Sequence, residues 1–306
     1  MAEQDRIEQL DAAIDAMLGG RRAQVADTEA AGLLAIASDL REVAAPHFKA
    51  QLKWKIVPRV RHTITPHFRV RGVADFIAFL EEAFGGKEEF RAPRPDGLIA
   101  HAEVRIGSSK VEMGDAAEQA PPIAFGVHMY VENVDEVYQR ALAAGATSLH
   151  PLVDQFYGDR EGSVKDPFGN HWYIATHLAP GQPTRPGLRT ITPFLHPQGA
   201  DRMIQFLAAA FGAEAVEEPD KAPDGTIAHA TMRIGDSVIE MGEAHGEWQP
   251  MEAGIHLYVD DCDAVYQRAV SAGAKSVMPP NDAPYGERLA YVIDPFHNHW
   301  FIGTPV

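Results

Sequence analysis

The apolar positions keep two rhythms, and the same order of rhythms keeps returning. Residues 63–70 read as a strand. They lead into a helix whose apolar stripe is Phe76, Ile77, Leu80 and Phe84, at the three- and four-residue spacing of one helical face. Gly85 follows where a helix C-terminus takes a left-handed residue. Three strand-like runs come next, the clearest over 102–106 and 110–113, alternating in polarity about a Gly-Ser turn. A longer strand over 125–131 enters a second helix with Val134, Val137, Tyr138, Ala141 and Leu142, closed by Gly145. Short strands then end in Trp172-Tyr-Ile174. Residues 190–196 start the series again, with Met203, Ile204, Leu207 and Phe211 as the stripe and Gly212 as its stop. The predicted unit is strand, helix and three strands, twice in each half of the chain, which is an α+β pattern.

The return is nearly literal. Asp166-Pro-Phe-Gly-Asn-His-Trp172-Tyr-Ile174 comes back as Asp294-Pro-Phe-His-Asn-His-Trp300-Phe-Ile302, 128 residues on. Tyr157-Gly-Asp-Arg160 comes back as Tyr285-Gly-Glu-Arg288, and Val137-Tyr-Gln-Arg-Ala141 as Val265-Tyr-Gln-Arg-Ala269. Pro95-Asp-Gly97 and Ile99-Ala-His-Ala102 likewise return as Pro223-Asp-Gly225 and Ile227-Ala-His-Ala230, whereas Ile64-Thr-Pro66 returns as Ile191-Thr-Pro193 at a spacing of 127. A period this long exceeds the roughly 20–50 residues of solenoid units, so a whole domain is duplicated. The expected organisation is a helical segment over 1–60, a first domain over 61–178, a Pro/Gly linker over 179–187 and a second domain over 188–306. In the first segment Ile7, Leu10, Ile14, Met17 and Leu18 form a stripe stopped by Gly19-Gly20. A second helix presents Leu33, Leu34, Ile36, Ala37 and Leu40. Residues 46–57 then mix Phe48, Leu52, Trp54 and Ile56 with Lys49, Lys53 and Lys55, either an accessory layer on the first domain or a basic interaction helix.

Composition narrows the function classes. Among 306 residues, 27 are Lys or Arg and 43 are Asp or Glu, a formal charge of −16 that argues against nucleic acid as a partner. The single cysteine, Cys262, cannot form an intrachain disulfide, and no apolar run approaches the roughly 18 residues of a membrane span. The polar, acidic start is unlike a signal peptide, so a cytoplasmic location is the expectation. No phosphate-binding glycine loop, Ser-His-Asp order or cysteine zinc pattern is present.

Ile99-Ala-His-Ala-Glu103, Tyr130-Val-Glu-Asn-Val-Asp135, Arg140-Ala-Leu-Ala-Ala-Gly-Ala146, Tyr157-Gly-Asp-Arg160 and Asp166-Pro-Phe-Gly-Asn170, each with a second-half counterpart, carry a resemblance. In this order, twice, they resemble the vicinal-oxygen-chelate superfamily of glyoxalases, bleomycin-resistance proteins and extradiol dioxygenases, and its PhnB-like branch in particular. From about residue 63 onward the resemblance implies two tandem domains, each a pair of βαβββ units, with curved, mostly antiparallel sheets around a cleft. Whether the domains pair within the chain or across a homodimer stays open. Metal-bearing members offer inward-facing His or Glu from the first and last strands of each unit. The corresponding positions here are Thr65, Glu112, Gly126 and Tyr173, then Thr192, Glu240, Gly254 and Phe301, so one ligand remains in each domain.

Strand side chains two places apart share a face, which brings His67 and His128 beside Glu112 as a two-His, one-carboxylate set suited to iron, zinc, nickel or manganese. Phe194 replaces the first of these in the second domain and leaves Glu240 with His256. Glu112 and Glu240 are also candidate general bases whose pKa burial would raise. His101, His229 and Tyr173 are expected to line the cleft, and Tyr157, Arg160, Tyr285 and Arg288 to cover it from loops. His171 and His299 are placed at the surface or an interface, and His245 in solvent. The favoured expectation is a cleft that binds a small molecule without a cofactor. The alternatives are a metal-dependent lyase, isomerase or dioxygenase with one site in the first domain, and a ligand-sensing body with an N-terminal interaction helix.

Overall fold

The structure, a computed structural model, describes residues 62–305 except 183, 186, 247, 284 and 285. The expected N-terminal helices and Tyr285 lie outside the described residues. The first unit runs β1 (Ile64–Val70), α1 (Val73–Phe84), β2 (Lys87–Pro93), β3 (Ile99–Ile106) and β4 (Ser109–Asp115). The second runs β5 (Gly126–Tyr130), α2 (Val134–Ala143), β6 (Thr147–Asp154), β7 (Asp159–Lys165) and β8 (His171–His177). The third is β9 (Ile191–Leu195), α3 (Ala200–Phe211), the short β10 (Glu214–Ala215) and β11 (Asp220–Lys221), β12 (Ile227–Ile234) and β13 (Ser237–Met241). The fourth is β14 (Gly254–Tyr258), α4 (Cys262–Ser271), β15 (Lys275–Ala283), β16 (Glu287–Ile293) and β17 (His299–Pro305). Among the described residues no helix is long and apolar enough to cross a membrane.

Local chemistry explains the repeated motifs. Asp166 accepts hydrogen bonds from the backbone N–H groups of Phe168 and Asn170, from the Asn170 amide and from the Trp172 indole. One buried carboxylate thereby shapes the turn and pins the first large side chain of β8. Asp294 does the same for Phe296, Asn298 and Trp300. Arg140 donates to the carbonyl of Ala83, and Arg268 to that of Ala210, so each satisfies a carbonyl at the end of the neighbouring helix. Gly85 and Gly212 close α1 and α3 at φ 68° and 69°.

One apolar core runs through both halves of the chain, and its aromatic contacts fall within each half. Phe68 of β1 stacks on Phe125 at 4.7 Å and on Trp172 of β8 at 5.7 Å, and Trp172 meets Phe84 of α1 at 4.5 Å. Phe211 and Trp300 repeat the last contact at 4.4 Å. The strands, however, pair across the halves. β1 lies antiparallel to β14, and the first sheet has the order β15-β16-β17-β14-β1-β4-β3-β2. β5 lies antiparallel to β9, and the second sheet has the order β10-β12-β13-β9-β5-β8-β7-β6. The architecture is the expected α+β one, with two mostly antiparallel curved sheets. Each sheet joins one unit from either half, the first with the fourth and the second with the third. The pairing left open by the sequence is made within the chain.

Glycines permit these junctions. A Cβ on Gly254 would sit 2.1 Å from the carbonyl oxygen of His67, and one on Gly126 would sit 3.0 Å from that of Phe194. Gly254→Ala forces β14 away from β1 and is expected to cost about 3 kcal/mol, the upper end for an overpacked site. Thermal melting should show the midpoint falling by about 8 °C.

Candidate functional site

Helices cover one face of each sheet, so strand alternation sends the other residues to the concave face. In the first cup these are His67 and Arg69 of β1, His101 and Glu103 of β3, and Glu112 of β4. The fourth unit adds His256 and Tyr258 of β14 and Phe301 of β17. Glu112 is 1% exposed and both its oxygens are engaged. Tyr258 donates to one at 2.9 Å, His256 Nδ1 lies 2.7 Å from the other, and His67 Nδ1 stands 3.7 Å from that same oxygen. Burial opposes ionisation of Glu112, yet the His256 charge and the hydrogen bonds from His256 and His67 hold its carboxyl well below the ordinary range. Burial pushes His67 down to about 4, so it is neutral at pH 7.

The second cup repeats the scheme with different neighbours. Glu240 of β13 meets His128 Nδ1 of β5 at 2.9 Å and His229 Nε2 of β12 at 3.3 Å. Burial again works against both charges, but their mutual attraction lowers Glu240 to about 2 and raises His128 above its ordinary value. Tyr130 donates to Asp159, which also holds His177 at 2.6 Å and accepts from Arg185 at 2.9 Å. Tyr173 meets His196 Nε2 at 2.8 Å, beside Phe194 and Trp248.

Several expectations change. His67 and Glu112 come together, but His128 stands on the other sheet against Glu240, because its unit pairs with the third unit and not the first. The set of His67, Glu112 and His128 is therefore not assembled. In its place the ligand atoms of His67, His101 and Glu112 lie within 4.8 Å of one another. Glu112 and Glu240 are not bases of raised pKa, since histidine partners shift them the other way. Arg160 and Arg288 do not cover a cleft. Lying one residue out of phase with Asp159 and Glu287, they face the helices, where Arg160 binds Asp135 and Asp154 and Arg288 binds Asp263 and Asp282. Tyr157 reaches Glu161 on the concave side at 2.9 Å. His171 and His299, two residues before Tyr173 and Phe301, share their concave face, where both are half-buried.

Arg69, Tyr130, Tyr258, His196 and Trp248 escaped the sequence reading. The two tyrosines carried a usable signal, since each follows a cleft histidine by two residues. Arg69 and His196 occupy equivalent places in the two copies, and that mismatch was the other signal.

The stability of the His128–Glu240 pair has a defined pH window. Its histidine contribution is fully present below the unfolded pKa of about 6.5 and lost as pH rises through the raised folded value. The carboxylate contribution is present above the ordinary 4.5 and lost as pH falls through about 2. Glu240→Gln should cost about 3 kcal/mol near pH 6. Urea unfolding should show that deficit shrinking as pH is raised and His128 becomes neutral.

A family model described as the Glyoxalase/Bleomycin resistance protein/Dioxygenase superfamily matches residues 59–174 and 196–302. An uncharacterised protein of Mycobacterium bovis is 39% identical over 137 residues, covering 41% of this chain and 86% of that one. Its Mycobacterium tuberculosis counterpart is equally similar over 77% of its length. The glyoxalase I structure from Zea mays aligns with a TM-score of 0.59 at 16% identity, covering 79% of this chain and 92% of that one, a likeness of fold alone. With its paired βαβββ units and the match across both halves, the chain belongs to the Glyoxalase/Bleomycin resistance protein/Dioxygenase superfamily.

Proposed function

We propose that the first cup binds a small anionic molecule, without a resident metal. Arg69 carries this reading. It is only 8% exposed, its guanidinium lies over the Phe301 ring at 5.9 Å, and among the described residues it has no ion pair. Arginine is almost never so deeply buried unless paired, because an unpaired buried charge is costly. A carboxylate or similar anion entering the cup supplies the missing partner through charge-assisted hydrogen bonds. His67 and His101 keep some exposure at the same face and offer further hydrogen bonds, while Phe301 supplies an apolar wall.

The family's metal positions regroup in the first cup as Thr65, Glu112, Gly254 and Phe301. Gly254 and Phe301 carry no ligand atom and Thr65 offers only a hydroxyl, a poor ligand for a divalent metal, so these positions do not fit one. A second reading rests on the displaced cluster of His67, His101 and Glu112, whose donor types suit iron, zinc, nickel or manganese. Two ligands of one ion at about 2.1 Å stand no more than about 4.2 Å apart, so the cluster needs only a small contraction. Against it, Tyr258 and His256 already hold the oxygens of Glu112.

Two measurements on the full chain separate the readings. Calorimetric titration with benzoate should show binding that weakens by about tenfold or more in Arg69→Gln. Benzoate and other small carboxylates that give no heat, or bind equally well to the variant, defeat the anionic reading. Elemental analysis after incubation with each of the four metals tests the other. About one retained ion per chain, lost in Glu112→Gln, supports the displaced centre.

A further inference from the structure

The second cup differs from the first at the positions that decide what a cup can hold. Where the first has His67, Arg69 and Glu103, the second has Phe194, His196 and Thr231. The segment after β13 adds Trp248, where the segment after β4 has Ala120. The Trp248 indole lies parallel to the His196 ring, with 3° between planes and 5.8 Å between centres. It also meets Tyr173 at 5.6 Å and His150 at 4.6 Å, so rings from both halves of the chain converge on it.

Inside this aromatic frame three hydrogen-bonding atoms of buried side chains have no partner among the described residues, Nε2 of His128, Oγ of Ser163 and Nδ1 of His196, and the half-buried His171 leaves Nδ1 without one as well. His128, Ser163 and His196 are 8%, 2% and 5% exposed. Ser163 is opposite Tyr173 in the ladder, and Tyr173 is opposite His128, which puts them on one concave face. His196 joins them through the Tyr173 hydroxyl. Buried polar atoms are nearly always satisfied, and three orphans on one face mark a place where something else completes the hydrogen bonding. Of the charged groups there, Glu240 is paired with His128, and Asp159 with His177 and Arg185. Glu161 on the same face accepts from the Tyr157 hydroxyl and has no ion pair among the described residues, so the cup repels an anion. Stacked rings favour a flat partner.

We infer that the second cup is a ligand site of its own, for a flat ring without negative charge that bears a hydrogen-bond donor and an acceptor, such as an azole or a phenol. Trp248, His196 and Tyr173 form its aromatic walls. Ser163 and the free nitrogens of His128 and His196 read its polar edge. The two cups of one chain therefore take different classes of molecule, an anion in the first and a flat ring without negative charge in the second.

Titration calorimetry of the full chain with indazole, which is neutral and planar with one donor and one acceptor, tests the assignment. Indazole should bind, with affinity reduced about tenfold or more by Ser163→Ala or Trp248→Ala and unchanged by Arg69→Gln. Ser163→Ala removes an unpartnered hydroxyl and should melt close to the parent; Trp248, half-buried outside the strands, supplies the second variant. Absence of indazole binding overturns the inference. So does binding that ignores both substitutions, or that Arg69→Gln weakens. Benzoate that fails to bind while indazole succeeds removes only the anionic reading of the first cup.

Discussion

Everything in this molecule depends on two antiparallel junctions, β1 against β14 and β5 against β9. Each curved sheet is half a cup until its partner unit arrives from the other end of the chain. The junction also decides which side chains share a cleft. Thr65 is opposite His256 and Thr192 is opposite His128, so each buried glutamate receives its histidine from the other half. The aromatic contacts of the core run differently. Phe68, Phe125 and Trp172 pack within the first half, and Phe211 with Trp300 within the second. Those ring contacts thus follow the order of the sequence, whereas cups cross it. Duplication within one chain fixes both relations covalently.

This division explains how much could be read from sequence. Helix stripes, glycine stops and the Asp166 turn are local, set by residues a few places apart, and the pattern displayed them directly. Even there, their meaning was structural: Asp166 and Asp294 serve turns and tryptophan indoles, not ligands. The candidate site was legible one strand at a time. Glu112, His67 and His101 do share a cleft. His128 does not join them, because its strand pairs with β9 of the other half, and a choice of strand partner leaves no mark in the periodicity of any single strand. Arg160 shows a second limit. Its loop position suggested a cover, but the alternation of β7 turns it toward Asp135 on α2, the face opposite Asp159.

Chemistry within the cups follows from partnering more than from residue type. Glu112 and Glu240 would be candidates for raised pKa values if burial acted alone. Histidines within hydrogen-bonding distance reverse the outcome in both. The histidines themselves diverge: His128 gains charge from Glu240, while His67, 3.7 Å from a carboxylate that already has two other partners, stays neutral. A buried ion pair of this kind contributes less to net stability than its Coulomb energy suggests, because desolvation offsets it. Its persistence in both copies is better explained by fixing the direction of the cleft histidines. Each glutamate holds Nδ1, and in His128 Nε2 is left without a partner among the described residues.

Such a frame lets two copies diverge without losing the fold. The Glu–His pairs, the two tyrosines and the glycine junctions are common to both cups, and they set the backbone and the polar floor. The substitutions that separate the cups, Arg69 to His196, His67 to Phe194 and Ala120 to Trp248, lie on side chains that project from this shared frame. None of them touches a ladder hydrogen bond. A buried cation in one place and an aromatic stack in the other change what a cup can hold while the strands beneath keep their register. Duplication of the domain is what makes this possible: the invariant half of each cup supplies stability, and the freed half is open to a new ligand class.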